Sequence, residues 1–134
     1  MGKFHLEIVT PDGLVFDSEA DSVRVRTITG DVEIMRGHTD FFAALSVGEI
    51  RLTVDGVSRL ASSSGGFVSV KGGEVRIVAT TLEFADEIDV NRAREAKENA
   101  EAAIQRAKDD KSILIAKAKL ERALNRLSVA GKGR

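Results

Sequence analysis

The hydrophobic period of this chain changes once, across Glu83-Phe84-Ala85-Asp86-Glu87-Ile88-Asp89-Val90-Asn91-Arg92-Ala93. Before that stretch, nearly every segment alternates apolar and polar side chains with the period of two that marks a half-buried strand. After it, apolar residues recur at helical spacing, and no glycine or proline interrupts until Gly131. A two-period pattern does not settle as a helix, nor a helical pattern as a strand, so the change marks a domain boundary. The expected class is α+β. Residues 1–86 should form a β-sandwich or flattened barrel, and residues 87–134 an antiparallel two-helix hairpin.

In the first part, Phe4, Leu6 and Ile8 alternate with His5 and Glu7, and Pro11-Asp12-Gly13 then turns the chain. Leu14 and Phe16 suggest a short second strand. Val23 and Val25 alternate with arginines, and Val32 and Ile34 repeat the pattern after Gly30-Asp31. Ile50, Leu52 and Val54 lead through Asp55-Gly56 into Val57–Leu60, a hairpin signal. Phe67–Val70 and Val75–Val78 flank Lys71-Gly72-Gly73-Glu74, and Thr81–Phe84 closes the series. About nine short strands at regular spacing imply a sandwich or barrel.

The second part carries two seams. Ala93, Ala96, Ala100, Ala103 and Ala107 step by three and four, as do Ile113, Ala116, Leu120, Ala123 and Leu127. Asp89 is suited to cap the first helix, and Asp109, Asp110 or Ser112 to start the second. The short connection makes the helices antiparallel neighbours. Alanine on one seam lets the axes approach closely.

Several chemistries find no residues to carry them. There is no cysteine, so disulfides and thiolate metal sites are excluded. His5 and His38 lie in separate segments and match no ligand spacing, so no metal site is expected. Ser62-Ser63-Ser64-Gly65-Gly66 lacks the Gly-Lys-Ser/Thr ending of a phosphate loop and reads as a turn or bulge. No serine stands in a nucleophile elbow. No catalytic residue is assigned, and the chain is not expected to be an enzyme. No apolar run approaches the roughly 18 residues of a membrane span, and the N-terminus has no apolar h-region of a secretory signal, so direct membrane insertion is not expected. The default compartment is a reducing cytosol.

Charge is unevenly placed. Residues 1–88 carry eight basic and fourteen acidic side chains, whereas residues 111–134 carry seven basic and one acidic. The basic end is either a solvated helix face or an arm for an acidic partner. The strands carry no basic-aromatic surface, so nucleic acid is not an expected partner. At the boundary, Asp89 and Arg92 stand one turn apart. Arg122 and Arg126 lie one turn apart on the second helix, whose end returns beside the start of the first. Arg92, Arg122 and Arg126 are thereby candidates to converge on a small anionic ligand. The alternative is that Asp89 only caps and the arginines only solvate the hairpin.

The chain also resembles a known family. Val9-Thr10-Pro11-Asp12-Gly13, Gly30-Asp31 with Gly37-His38, Gly48-Glu49-Ile50-Arg51 and Ser64-Gly65-Gly66-Phe67 carry the likeness in the first part. Ile88-Asp89-Val90-Asn91-Arg92-Ala93 and Asn125-Arg126-Leu127-Ser128-Val129-Ala130 carry it in the second. In order, spacing and total length these resemble the epsilon subunit of bacterial F-type ATP synthase. The resemblance implies a non-catalytic central-stalk subunit, peripheral at the cytoplasmic face of the membrane. It would couple proton or sodium flow to ATP synthesis and inhibit hydrolysis through a switchable hairpin.

Implied partners are the gamma subunit, the membrane rotor ring of c subunits and, for an extended hairpin, the catalytic beta subunits. Asp31 and His38 are the implied ring contacts, although Glu33 and Arg36 stand where family members often carry glycine and proline. Lys117, Lys119, Arg122 and Arg126 would meet an acidic loop of the beta subunit. The Ile-Asp-x-x-Arg-Ala pattern resembles an ATP-binding signature, which assigns Ile88, Asp89, Arg92 and Ala93 to the nucleotide, with Glu83 added. ATP would be a regulatory ligand, with Arg122 and Arg126 engaging it as well. Asn99 stands where nucleotide-binding members tend to have an arginine. A stand-alone ATP sensor and a structural adaptor without nucleotide binding are the other readings.

Overall fold

A computed structural model describes residues 2–133. Ten strands come first: β1 Phe4–Thr10, β2 Gly13–Ala20, β3 Ser22–Thr27, β4 Gly30–Ile34, β5 Phe41–Leu45, β6 Gly48–Val54, β7 Val57–Ser63, β8 Gly66–Lys71, β9 Glu74–Ala79 and β10 Leu82–Phe84. A single 3-10 turn, Ala85–Glu87, leads to α1 Val90–Arg106 and α2 Asp110–Lys132.

The strands form one curled sheet in the order β10-β7-β6-β3-β5-β8-β9-β1-β2, with β4 added beside β3. All pairs are antiparallel except β1 with β9. The fold-over is at β3. Its first half pairs with β6, while Thr27 at its end pairs with Leu45 of β5. One strand thus belongs to both halves, and their inner faces close on a single core. That core holds Leu6, Ile8, Val23, Val25, Ile34, Val68 and Ile77, all essentially inaccessible to water. Each such side chain is worth about 1.5–3 kcal/mol when fully buried, so mainly aliphatic packing, with Phe4 and Phe84 as the buried aromatics, sustains a core with neither Trp nor Tyr.

The alternation that predicts strands also sets their faces: Phe4, Leu6 and Ile8 point inward and their neighbours are half-exposed. Asp55 and Gly56 adopt positive φ, 50° and 78°, as do Gly72 and Gly73, which is the backbone a two-residue hairpin requires. Gly66 is needed for a further reason. A Cβ there would lie 1.9 Å from the Val78 carbonyl oxygen, so β8 can approach β9 only with hydrogen at that position.

The sequence pattern gives nine strands and the structure ten. The additional one is β5. Its Phe41-Phe42-Ala43-Ala44-Leu45 run does not alternate, because Phe42 faces outward at 69% exposure and stacks on the outward Phe67 with centroids 5.3 Å apart. The second strand is also longer than Leu14 and Phe16 suggest, because it pairs along the whole of β1 and bends at a bulge beside Ile8 and Val9.

Asp89 caps α1 by accepting from the Arg92 backbone N–H at 3.1 Å. Asp109 caps α2 by accepting from the Ser112 N–H at 2.7 Å, and that bond holds its carboxyl below the usual carboxylate range. The helices are antiparallel: Ala93 near the start of α1 packs with Val129 and Ala130 near the end of α2. Along the seams, Ala93, Ala100, Ala116 and Ala123 are buried, and Ala96, Ala103, Ala107, Ile113, Leu120 and Leu127 are half-buried.

On the outer face of β1, His5 bridges two strands. Its Nδ1 lies 2.5 Å from a Glu74 oxygen of β9 and its Nε2 lies 2.5 Å from an Asp17 oxygen of β2. The bonds to Glu74 and then Asp17 push the imidazole up to about 9. Protonation of His5 is therefore linked to folding. Its stabilising contribution is complete below the ordinary histidine value of about 6.5 and is lost as pH rises through about 9. An NMR titration should find this ring half-protonated near pH 9. His5→Gln should flatten the fall in stability between pH 6.5 and 9. A ring titrating near 6.5 would exclude the bridge.

Candidate functional site

The helices pack on the sandwich unevenly. α2 makes the hairpin's main contacts, with β6, β7 and the 3-10 turn, while α1 lies mainly against α2. The joint is a second apolar cluster of Ala85, Ile88, Ala93, Val129 and Ala130, with Leu60, Val90 and Leu127 against it. Polar bonds surround this joint. Asn125 Nδ2 donates to the Gly48 carbonyl and to Ser62 Oγ, both at 2.9 Å. Lys132 Nζ meets Glu49 Oε1 at 3.1 Å. Arg126 Nη2 donates to Glu83 Oε2 at 3.3 Å. Arg126 Nε lies 2.7 Å from Glu83 Oε1, a charge contact whose N–H is poorly aligned with the oxygen.

Away from the joint, the hairpin and the sandwich diverge around a cleft of about 710 Å³. The sandwich contributes Thr10, Asp12 and Val47, then Ser62, Ser63, Ser64, Thr81, Leu82 and Glu83. The α1 wall is Ala96, Asn99, Ala100 and Ala103, and the α2 wall is Lys119, Arg122, Ala123 and Arg126. Three features follow from the sequence at these positions. Alanines on both helices leave room and give an apolar surface. The serines at the end of β7 and Thr81 before β10 give hydroxyls, with Thr81 Oγ1 donating to Ser64 Oγ at 2.6 Å. α2 brings all three cations. Of these, Arg126 is occupied by Glu83, while Lys119 and Arg122 have no ion-pair partner among the described residues. Such a site suits a ligand with an apolar part and an anionic part.

The residues assigned from sequence divide between the cleft, the joint and the helix start. Glu83, Arg122 and Arg126 come together in the cleft. Ile88 and Ala93 are buried in the joint, on either side of the start of α1. Asp89 and Arg92 are exposed at the start of α1 and are not among the cleft-lining residues. Lys117 and Lys119 are exposed on α2, and Lys119 reaches the cleft.

Asp31 lies within β4, opposite Arg26 of β3, and His38 stands four residues beyond the end of that strand. Asp31 accepts from Arg26 Nε and Arg24 Nη2, each at 3.0 Å. The Arg26 bond leads in holding its carboxyl below the usual range. His38 donates from Nδ1 to the Thr39 carbonyl at 2.7 Å and packs edge-on against Phe41. The hydroxyl wall Ser62–Ser64 is absent from the sequence assignment, which treats that stretch as a turn. The alternation of β7 was the available signal, since it directs Ser62 to the face opposite Ala61, where the helices lie.

Two family profiles together span almost the whole chain. The one described as "ATP synthase, Delta/Epsilon chain, beta-sandwich domain" matches residues 3–85. The one described as "ATP synthase, Delta/Epsilon chain, long alpha-helix domain" matches residues 86–131. The ATP synthase epsilon chain of Bacillus velezensis is 44% identical over 131 residues, covering 98% of this chain and 99% of that one. The epsilon chain of Halalkalibacterium halodurans is 42% identical over 133 residues, with 98% and 100% covered.

Among solved structures, a chain of the Euglena gracilis mitochondrial ATP synthase (OSCP/F1/c-ring, rotational state 1) aligns with a TM-score of 0.83 at 22% identity, over 93% of this chain and 79% of that one. A chain of the Tetrahymena thermophila mitochondrial ATP synthase central stalk and c-ring aligns with a TM-score of 0.69 at 17% identity, over 96% and 97%. At these identities the two structures support the fold.

The joint itself yields a prediction. Asn125→Ala leaves the buried Gly48 carbonyl and Ser62 hydroxyl without their partner, at a cost of about 1–3 kcal/mol. Amide exchange in α2 should accelerate correspondingly while that of β1, β8 and β9 stays slow. Equal acceleration in both would mean the hairpin and sandwich unfold as one unit.

Proposed function

This chain belongs to the ATP synthase delta/epsilon chain family, and from that membership we propose that it serves as a central-stalk epsilon subunit of an F-type synthase. As an epsilon chain it is a non-catalytic member of its complex. The observation that carries the reading is the match of both domains in order, with epsilon-chain relatives covering 98% of the chain. Its partners are the gamma subunit and the ring of c subunits, with the beta subunits met by an extended hairpin. It is held peripherally at the cytoplasmic face by these partners. No helix among the described residues is long and apolar enough to cross a membrane. The ring contact is assigned to Asp31, held in place by Arg24 and Arg26, and to His38 in the loop after β4.

The hairpin is the regulatory element. Its linkage contains neither glycine nor proline, and one continuous helix from Asp89 to Ala130 would reach about 60 Å at 1.5 Å per residue. In that form Lys117, Lys119, Arg122 and Arg126 carry positive charge to an acidic loop of the beta subunits and oppose hydrolysis-direction rotation. ATP acts as a regulatory ligand of the folded form. It occupies the cleft, with Glu83, Arg122 and Arg126 in contact, while Ile88, Asp89, Arg92 and Ala93 set the start of α1. Because Arg122 and Arg126 serve both forms, ATP shifts the population by its differential affinity for the folded one.

Two measurements test this reading. Assembled synthase lacking residues 87–134 should hydrolyse ATP faster than the intact complex. An unchanged rate would remove the inhibitory role. In calorimetry the isolated chain should bind ATP without turnover, and Arg122→Ala should weaken binding by about 1.5–3 kcal/mol. Arg92→Ala should cost less, since its side chain lies outside the cleft lining. A larger loss at Arg92 than at Arg122 would move the phosphates to the α1 start.

A further inference from the structure

We infer that Lys119 contacts the polyphosphate in the cleft, a role that rests on the nucleotide reading above but is assigned there to no lysine. Charge in the lining argues for it. Lys119, Arg122 and Arg126 face Asp12 and Glu83, three cations against two carboxylates. Glu83 already holds Arg126. Without Lys119 the lining would be neutral, with only Arg122 unpaired to receive a group of several negative charges.

α1 cannot make up the difference. It presents Ala96, Asn99, Ala100 and Ala103 to the cleft, while its Arg94 and Lys97 line a separate groove between the helices, beside Glu98. Lys119 and Arg122 are three residues apart on α2, so they project from one face as neighbours. Opposite stands the hydroxyl wall, where Ser64 Oγ accepts from Thr81 and keeps its own proton to donate. An ammonium on a flexible stem beside a guanidinium suits phosphate groups whose number differs between nucleotides. Lys119 should therefore read phosphate charge rather than the base, and favour ATP over ADP.

The test compares ATP, ADP and adenosine by calorimetry against the intact chain and three variants. Lys119→Gln should weaken ATP about tenfold, weaken ADP less, and leave adenosine unchanged. Lys119→Arg should retain ATP binding. Lys111→Gln, the same charge change at an exposed α2 position outside the cleft, should change none of the three. Glutamine and lysine have similar helix propensity, so α2 should stay helical by circular dichroism. Wild-type affinity for ATP in Lys119→Gln would overturn the inference while leaving the nucleotide reading intact. Equal losses for ATP and adenosine would overturn it too, by making the effect structural. If the wild-type chain binds no ATP, the nucleotide reading fails and this inference with it.

Discussion

Ile88 and Val129, with the alanines at positions 85, 93 and 130, form the contact through which a β-sandwich and a helical hairpin become one molecule. The 3-10 turn lifts the chain off β10 and buries Ile88 at 3% exposure, one residue before the Asp89 cap. That order fixes the geometry. The cap can start α1 only where Ile88 has been anchored, and α2 then returns its last turns to the same place. Full burial is worth about 1.5–3 kcal/mol for each large side chain and less for alanine. Two large side chains and three alanines therefore hold the hairpin's base far less firmly than the seventeen-residue sandwich core holds the strands.

The polar bonds between hairpin and sandwich reinforce this weak joint without extending it. Asn125, Arg126 and Lys132 all lie in the last third of α2. Toward the other end of the hairpin, the cleft lies between the helices and the sandwich. An element tied at its base can be released by breaking only local contacts. The Arg126–Glu83 pair sits where this tie meets the cleft.

Small side chains serve two purposes along the helices. Ala100 and Ala123 are buried in the seam, and both also line the cleft. Larger residues would bury more apolar area and strengthen the hairpin, but they would fill the space the cleft needs. The weak hairpin and the open site thus have one cause in the sequence. The cations follow a related division. α2 turns Lys119, Arg122 and Arg126 toward the sandwich, while Arg94 and Lys97 of α1 face the groove between the helices.

Much of this architecture is local and therefore legible in residue order. The two-residue period of Phe4, Leu6 and Ile8, the Asp55-Gly56 turn and the Asp89 and Asp109 caps each depend on neighbours a few positions away. So do the alanine and leucine seams, which fix the helix faces without reference to the sandwich. The strand β5 was not legible, because an outward Phe42 stacked on Phe67 removes the alternation, and that partner is distant in sequence. The site divides in the same way. Sequence alone supplies the arginines and acids near the boundary, but not which of them share a space. The tertiary structure gathers Glu83, Lys119, Arg122 and Arg126 with the serines of β7, leaves Arg92 outside that lining, and gives Asp31 to Arg24 and Arg26. The reason is that helix period determines which residues share a face, whereas only the packing of Ile88, Val129 and Asn125 on the sandwich determines what that face looks at.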